Sequence, residues 1–140
     1  MGLLNFVKNA GKNLFGGKAE AATADTLQKE ISDLGLDASG LDIQVDGDKV
    51  TVNGTPKDQE TKEKVLLALG NVEGIASVQD DADGDLPTTH TVEKGDSLWK
   101  IAEATLGDGA RYQEIFEANK PMLSDPDKIY PGQVLRIPAK

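Results

Sequence analysis

Hydrophobic positions along the chain follow two periods, and each change of period marks an element. Leu27, Ile31 and Leu34 recur at helical spacing, with Thr23 or Asp25 as a cap ahead of them and Gly35 as a stop. Leu41, Ile43 and Val45 then alternate with Asp42 and Gln44, Asp46-Gly47 turns the chain, and Val50 and Val52 alternate with Thr51 and Asn53. That is a hairpin with suitable turn residues. Gly54-Thr55-Pro56 introduces a second helix, with Asp58 and Glu60 in its first turns and Thr61, Val65, Ala68 and Leu69 as its buried face. Gly70 to Gly74 breaks this helix, and Ile75, Ser77 and Gln79 alternate with Ala76 and Val78 in a last strand. The order α-β-β-α-β predicts an antiparallel sheet with helices on one face, an α+β layer.

A second unit follows. Thr89 to Thr91 alternates as a short strand, Lys94-Gly95 turns, and Asp96 or Ser97 stands where a helix needs its N-cap. Ser97, Leu98, Ile101, Ala102 and Thr105 share one helical face, and after the Gly107-Asp108-Gly109 break Tyr112, Ile115, Phe116 and Asn119 share another. Pro131-Gly132 turns the chain into a strand at Val134 to Ile137, stopped by Pro138. This βααβ unit needs neither metal nor disulfide if Leu98, Trp99, Ile101, Ile115, Phe116, Leu123 and Leu135 share one core. The acidic run Asp80 to Asp85, followed by Leu86-Pro87-Thr88, reads as a solvated linker and gives expected domains at 1–85 and 86–140.

Ahead of both units, Leu3, Phe6, Val7, Ala10 and Leu14 fall on one helical face, with Lys8 and Lys12 on another. A short amphipathic helix docked on its own domain is expected there; peripheral membrane contact is the alternative, with too little basic charge to hold an anionic surface alone. Asn5, Lys8, Asn9 and Lys12 interrupt the apolar run that a secretory signal requires, so a cytoplasmic protein is expected. No stretch has the apolar length of a bilayer span, and Phe6 stands where the myristoylation pattern wants Ser or Thr.

Charge narrows the range of partners. The 140 residues carry a formal charge of -9, which disfavours a nucleic-acid backbone as partner. Residues 21–85 hold fifteen acidic and five basic side chains, against eight and seven in residues 86–140, so the acidity belongs to the first unit. The absence of cysteine excludes a disulfide framework and a thiolate zinc site. Asp81, Asp83 and Asp85 have the first spacings of a calcium loop, but Leu86 takes the glycine position and Val92 the place of the bidentate acid. An enzyme is not expected: His90 is the single histidine, there is no HExxH pattern, and Ser97 is better read as a cap than as a nucleophile.

Val92-Glu93-Lys94-Gly95-Asp96-Ser97-Leu98-Trp99, Ile115 to Asn119 and Ile129 to Pro138 together resemble the lysin motif (LysM) domain. That resemblance implies N-acetylglucosamine glycans such as peptidoglycan as ligands, in a groove at Gly95, Asp96, Ser97 and Leu98 on one side and Asn119, Met122 and Leu123 on the other. Leu41 to Gly54 and Leu69 to Val78 resemble the BON domain. The N-terminal segment, a BON-like unit and a LysM unit in this order are similar to the bacterial cytoplasmic potassium binding proteins. This resemblance implies selective K⁺ binding coupled to the arrangement of the two domains.

Potassium is a large, weakly hydrated cation, selected by several neutral oxygens at fixed spacing rather than by carboxylates. Helix C-termini and glycine turns are where main-chain carbonyls are free to turn outward. The resemblance carries the site onto the carbonyls of Val7, Ala10 and Lys12 and of Gly70, Val72 and Ile75, with Rb⁺ and Cs⁺ as possible substitutes. The simpler reading makes the glycines helix stops and Val7, Val72 and Ile75 core residues. The discriminator from the glycan reading is whether the first domain covers the Gly95–Leu98 groove.

Overall fold

Helix α2 (Gln59–Gly70) joins two strands that lie side by side, and this connection organises the first half of the chain. The computed structural model describes residues 2–6, 23–72, 75–84, 87–120 and 122–138. Strand β3 (Lys49–Gly54) leads into α2, and β4 (Ser77–Ala82) leaves it parallel to β3, with Lys49 opposite Ser77 and Gly54 opposite Ala82. A helix placed between neighbouring strands returns the chain to the end of the sheet from which it left, and a parallel pair follows. The sheet is therefore mixed, not antiparallel throughout as expected. Strand β2 (Leu41–Asp46) closes the hairpin with β3, and the strand order is β1-β4-β3-β2.

The outer strand corrects a second expectation. Gly2–Asn5 forms strand β1, antiparallel to β4 from Gly2 opposite Asp80 to Asn5 opposite Ser77. Phe6 N–H extends the ladder by donating to Ala76 O at 2.9 Å. A helix begun at Leu3 would leave the exposed edge of β4 unpaired, whereas a strand satisfies it and turns Leu4 onto the core. Leu3, on the opposite face, is 49% exposed. Val7, Ala10, Lys12 and Leu14 lie outside the described residues.

Helix α1 (Ala24–Asp33) begins at Thr23, whose hydroxyl accepts from Thr26 N–H at 3.2 Å, and buries Leu27 and Ile31 against the sheet and α2. Asp58 caps α2 rather than lying within it, accepting from Thr61 N–H at 2.7 Å. The buried side of α2 is wider than the expected stripe, because Leu66 and Leu67 are buried as well. Leu66 joins the first core, while Leu67 is covered from the other side, near Ala118, Met122 and Arg136 of the second unit.

The acidic run is only partly a linker. Asp80 and Asp81 belong to β4, and Asp80, 2% exposed, meets the fully buried Lys62 at 2.9 Å. Lys62 Nζ also donates to Asp83 O at 3.3 Å, while Asp83 accepts the Thr55 hydroxyl at 2.7 Å. Charge at Asp80 and Asp83 thus fastens the end of β4 to α2 and to the end of β3.

The second unit is β5 (Thr89–Thr91), α3 (Leu98–Leu106), a 3₁₀ turn (Gly109–Arg111), α4 (Tyr112–Ala118) and β6 (Val134–Arg136), with β5 and β6 antiparallel. Ser97 caps α3, its hydroxyl accepting from Lys100 N–H at 3.2 Å. Leu98, Ile101, Ala102, Ile115, Leu123 and Leu135 form the core. Trp99 does not join it and is 51% exposed. Leu98 and Ile101 take the inward face of α3, which leaves Trp99 lying against Gly109, where a Cβ would come within 2.4 Å of the indole, with Tyr112 at 6.2 Å between ring centroids. Met122 packs against both hydrophobic clusters.

Candidate functional site

The end of α2 and the turn behind it are built from successive tight bonds. Asn71 N–H donates to Leu67 O at 3.0 Å, Val72 N–H to Leu69 O at 3.4 Å, Ile75 N–H to Val72 O at 3.2 Å and Ala76 N–H to Asp48 O at 2.8 Å. Val72 and Ile75 are buried in the first core, so their side chains anchor the backbone whose carbonyls are the expected donors. Gly70 is buried beneath the Phe6 ring, where a Cβ would lie 2.0 Å from the ring edge. Its requirement is close approach rather than a left-handed backbone. Phe6 thus touches this turn twice, through its ring over Gly70 and its N–H on Ala76 O, and the next residue along the chain is Val7. Val7, Ala10 and Lys12 themselves, and Gly74, are outside the described residues.

Between the carbonyl candidates Gly70 and Val72 stands Asn71, 5% exposed. Its Nδ2 donates to Val134 O at 2.8 Å and its Oδ1 accepts Val134 N–H at 2.9 Å, so one side chain pairs with β6 as a neighbouring strand would. Asn71 Nδ2 also donates to Leu67 O at 2.8 Å, which fixes the amide to its own helix. Asn119 repeats the arrangement from α4: Nδ2 donates to Ile115 O at 2.7 Å and to Arg136 O at 2.9 Å, and Oδ1 accepts Arg136 N–H at 2.7 Å. Two asparagines, one from each unit, thereby satisfy the edge of β6 that β5 leaves open. The contact is completed by Arg136 Nε donating to Glu63 Oε1 at 2.6 Å, with both side chains largely shielded from water.

The residues expected for a glycan groove divide. Gly95 is exposed, and beside it Asp96 accepts Glu93 N–H at 2.9 Å and lies 3.1 Å from His90 Nε2. The Glu93 bond first, and His90 second, hold the Asp96 carboxyl below its usual pKa. Ser97 caps α3, Leu98 and Leu123 are core, and Asn119 is committed to β6. Met122 lies against the first unit, with Asn71 Nδ2 at 3.4 Å from its sulfur. The Gly95 side of the expected groove is therefore open, while Met122 on the other side is covered.

A BON domain model matches residues 19–83 and a LysM domain model residues 90–138. Potassium binding protein Kbp of Escherichia coli O6:H1 is 47% identical over 147 residues, spanning 99% of this chain and 99% of its own length. The chain belongs to the Kbp family. An uncharacterised protein of Deinococcus radiodurans is 36% identical over 116 residues, 70% of this chain and 44% of that protein. SpoIVD-associated factor A of Bacillus subtilis is 45% identical over 51 residues, 36% of this chain and 12% of that protein.

Within the Kbp family pattern, sequence reasoning missed Asn71 and gave Asn119 and Phe6 other roles, Asn119 in a glycan groove and Phe6 on an amphipathic helix. Each asparagine directly follows a helix, a position where Asn is ordinarily read as a stop. Its bonds to β6 depend on a strand 63 residues away for Asn71 and 17 for Asn119, which no local pattern displays. Among the described residues no group of three or more His, Cys, Asp or Glu side chains comes together to hold a metal. No helix among them is long and apolar enough to cross a membrane.

Proposed function

We propose that this protein binds K⁺ through main-chain carbonyls and converts occupancy into a change in how its two domains sit together, as a cytoplasmic ion sensor without catalytic activity. The donors are the carbonyls of Val7, Ala10 and Lys12 from the N-terminal segment and of Gly70, Val72 and Ile75 from the turn. The observation that carries the reading is the double contact of Phe6 with this turn, which brings the chain just ahead of Val7 onto Gly70 and Ala76. Full-length similarity to a protein named for potassium binding supports the choice of ion. Neutral carbonyls at fixed spacing favour K⁺, Rb⁺ and Cs⁺ over smaller ions, whose hydration shells are costlier to replace.

Coupling follows from chain order. Asn71 lies between two proposed donors and is bonded to Val134 on both sides of its amide. A shift in the carbonyls of Gly70 or Val72 on ion binding displaces that amide and with it β6. Calorimetric titration of the full chain with KCl, RbCl, CsCl and NaCl at constant ionic strength tests the reading. Saturable heat with the three larger ions and none with Na⁺ is expected, and equal responses to NaCl and KCl would refute a selective site. The glycan reading keeps only the open Gly95 side, and titration with a chitin oligomer under the same conditions tests it.

A further inference from the structure

Between α1, the end of α2 and the loop after α4 lies a cavity of about 360 Å³ that the potassium reading leaves unused. Such a volume suits a small molecule, the usual range being roughly 300–1,000 Å³. Leu34 and Ala68 supply apolar wall from the first domain and Met122 from the second. Gln133 also lines the cavity, only 4% exposed, and its side-chain oxygen has no hydrogen-bond partner. Its backbone is engaged, N–H with Tyr130 O at 3.1 Å and C=O with Val92 N–H at 2.7 Å, which anchors the residue at the cavity wall. A buried amide oxygen is stable when a donor meets it, and the cavity is a direction from which a donor can arrive.

Charge around the cavity is sorted by depth. Glu30 is buried in the wall, 6% exposed, whereas Lys128 and Ser124 are exposed residues of its lining. The geometry points to a site for a small aminocarboxylate. Its ammonium is directed at Gln133 Oε1 and toward Glu30, its carboxylate at Lys128 and Ser124, and its apolar body lies along Leu34, Ala68 and Met122. An ammonium carries three donors and no acceptor, so it can serve the amide oxygen, and its positive charge is of the sign that a wall holding Glu30 accepts. A plain amine leaves Lys128 without its partner and a plain carboxylate opposes Glu30, so each is bound more weakly. Because the walls come from both domains, such a ligand clasps them together, and this inference does not depend on where K⁺ binds.

The test uses the full chain at one fixed KCl concentration, followed by amide and methyl shifts. L-leucine and 5-aminopentanoate are titrated as probes, with isopentylamine as leucine lacking its carboxylate and 4-methylpentanoate as leucine lacking its ammonium. Saturable shifts at Ala68, Met122 and Gln133 are expected with at least one aminocarboxylate, and binding at least tenfold weaker for both truncated compounds. Gln133→Leu keeps the volume and removes the oxygen, and should fold while losing at least tenfold in affinity. Glu30→Gln, the second variant, removes only the charge and should weaken binding in the same direction. Absence of saturable shifts with either aminocarboxylate, or undiminished affinity in a folded Gln133→Leu or Glu30→Gln, overturns the proposal.

Discussion

Asn71 shows how one side chain can stand in for a strand, because an amide presents one carbonyl and one N–H group much as a peptide unit does. Replacing it with alanine strips partners from both Val134 N–H and Val134 O in a buried setting. Leaving such groups unpaired costs about 1–3 kcal/mol. Asn71→Ala should therefore lower thermal stability and speed amide exchange at Val134, while Val92 and Ile137, whose N–H groups donate to Gln133 O and Thr88 O, remain protected within the second domain. Unchanged exchange at Val134 would show that the domain contact does not rest on this amide. Lys62 makes a different demand, since its ammonium is fully buried against Asp80. Lys62→Met strands a buried carboxylate and should cost about 3–5 kcal/mol in chemical denaturation, with Lys62→Met/Asp80→Leu recovering much of it. Neither role was legible in the chain: a lysine at Lys62 reads as solvated helix surface, and the aspartate opposite it reads as part of an acidic linker.

Elements were legible where local chemistry alone determines them. The α1 and α3 helices are capped by Thr23 and Ser97, each one of the two residues expected there, and the expected hairpin forms, turning at Gly47-Asp48 with Asp46 opposite Lys49. The N-terminal strand was not legible because Leu3, Phe6 and Val7 satisfy a helical period over a short span, while the edge that recruits β1 lies in β4, far along the chain. Trp99 was expected to share the core, but Leu98 and Ile101 take the inward face of its helix. The turn after α2 can be tested as an element. Gly70→Ala favours the helix by propensity, by about 1 kcal/mol, but its Cβ collides with the Phe6 ring. We expect little change in stability, displacement of Phe6 seen by its aromatic shifts, and a weakened K⁺ response. An intact K⁺ response with a displaced Phe6 would separate that ring from the site. The loop ahead of α3 yields a pH prediction. Asp96 has a lowered pKa, so it contributes stability that is complete above the ordinary aspartate value and lost as pH falls through the lowered one. Acid titration of the wild type and Asp96→Asn should show this loss in the wild type and a flatter profile in the variant.

At the scale of the whole molecule, the two-part hydrophobic pattern anticipated an α+β chain and the resemblance of its motifs anticipated BON and LysM domains, and the domain models match both. What the pattern left out is the contact between the parts, because Asn71, Leu67, Glu63 and Arg136 look individually like ordinary helix and strand positions. In the proposed function, that contact carries the effect of an ion held by backbone near Gly70 to β6. The most direct test is an amide-shift titration of the full chain with KCl, repeated with NaCl at matched ionic strength. We predict saturable K⁺-specific shifts at Val72 and Ile75 together with Val134, at one common midpoint, and no such set with Na⁺. K⁺ shifts confined to the first domain, with Val134 unmoved, or the same shifts produced equally by Na⁺, would contradict a selective site coupled to domain arrangement.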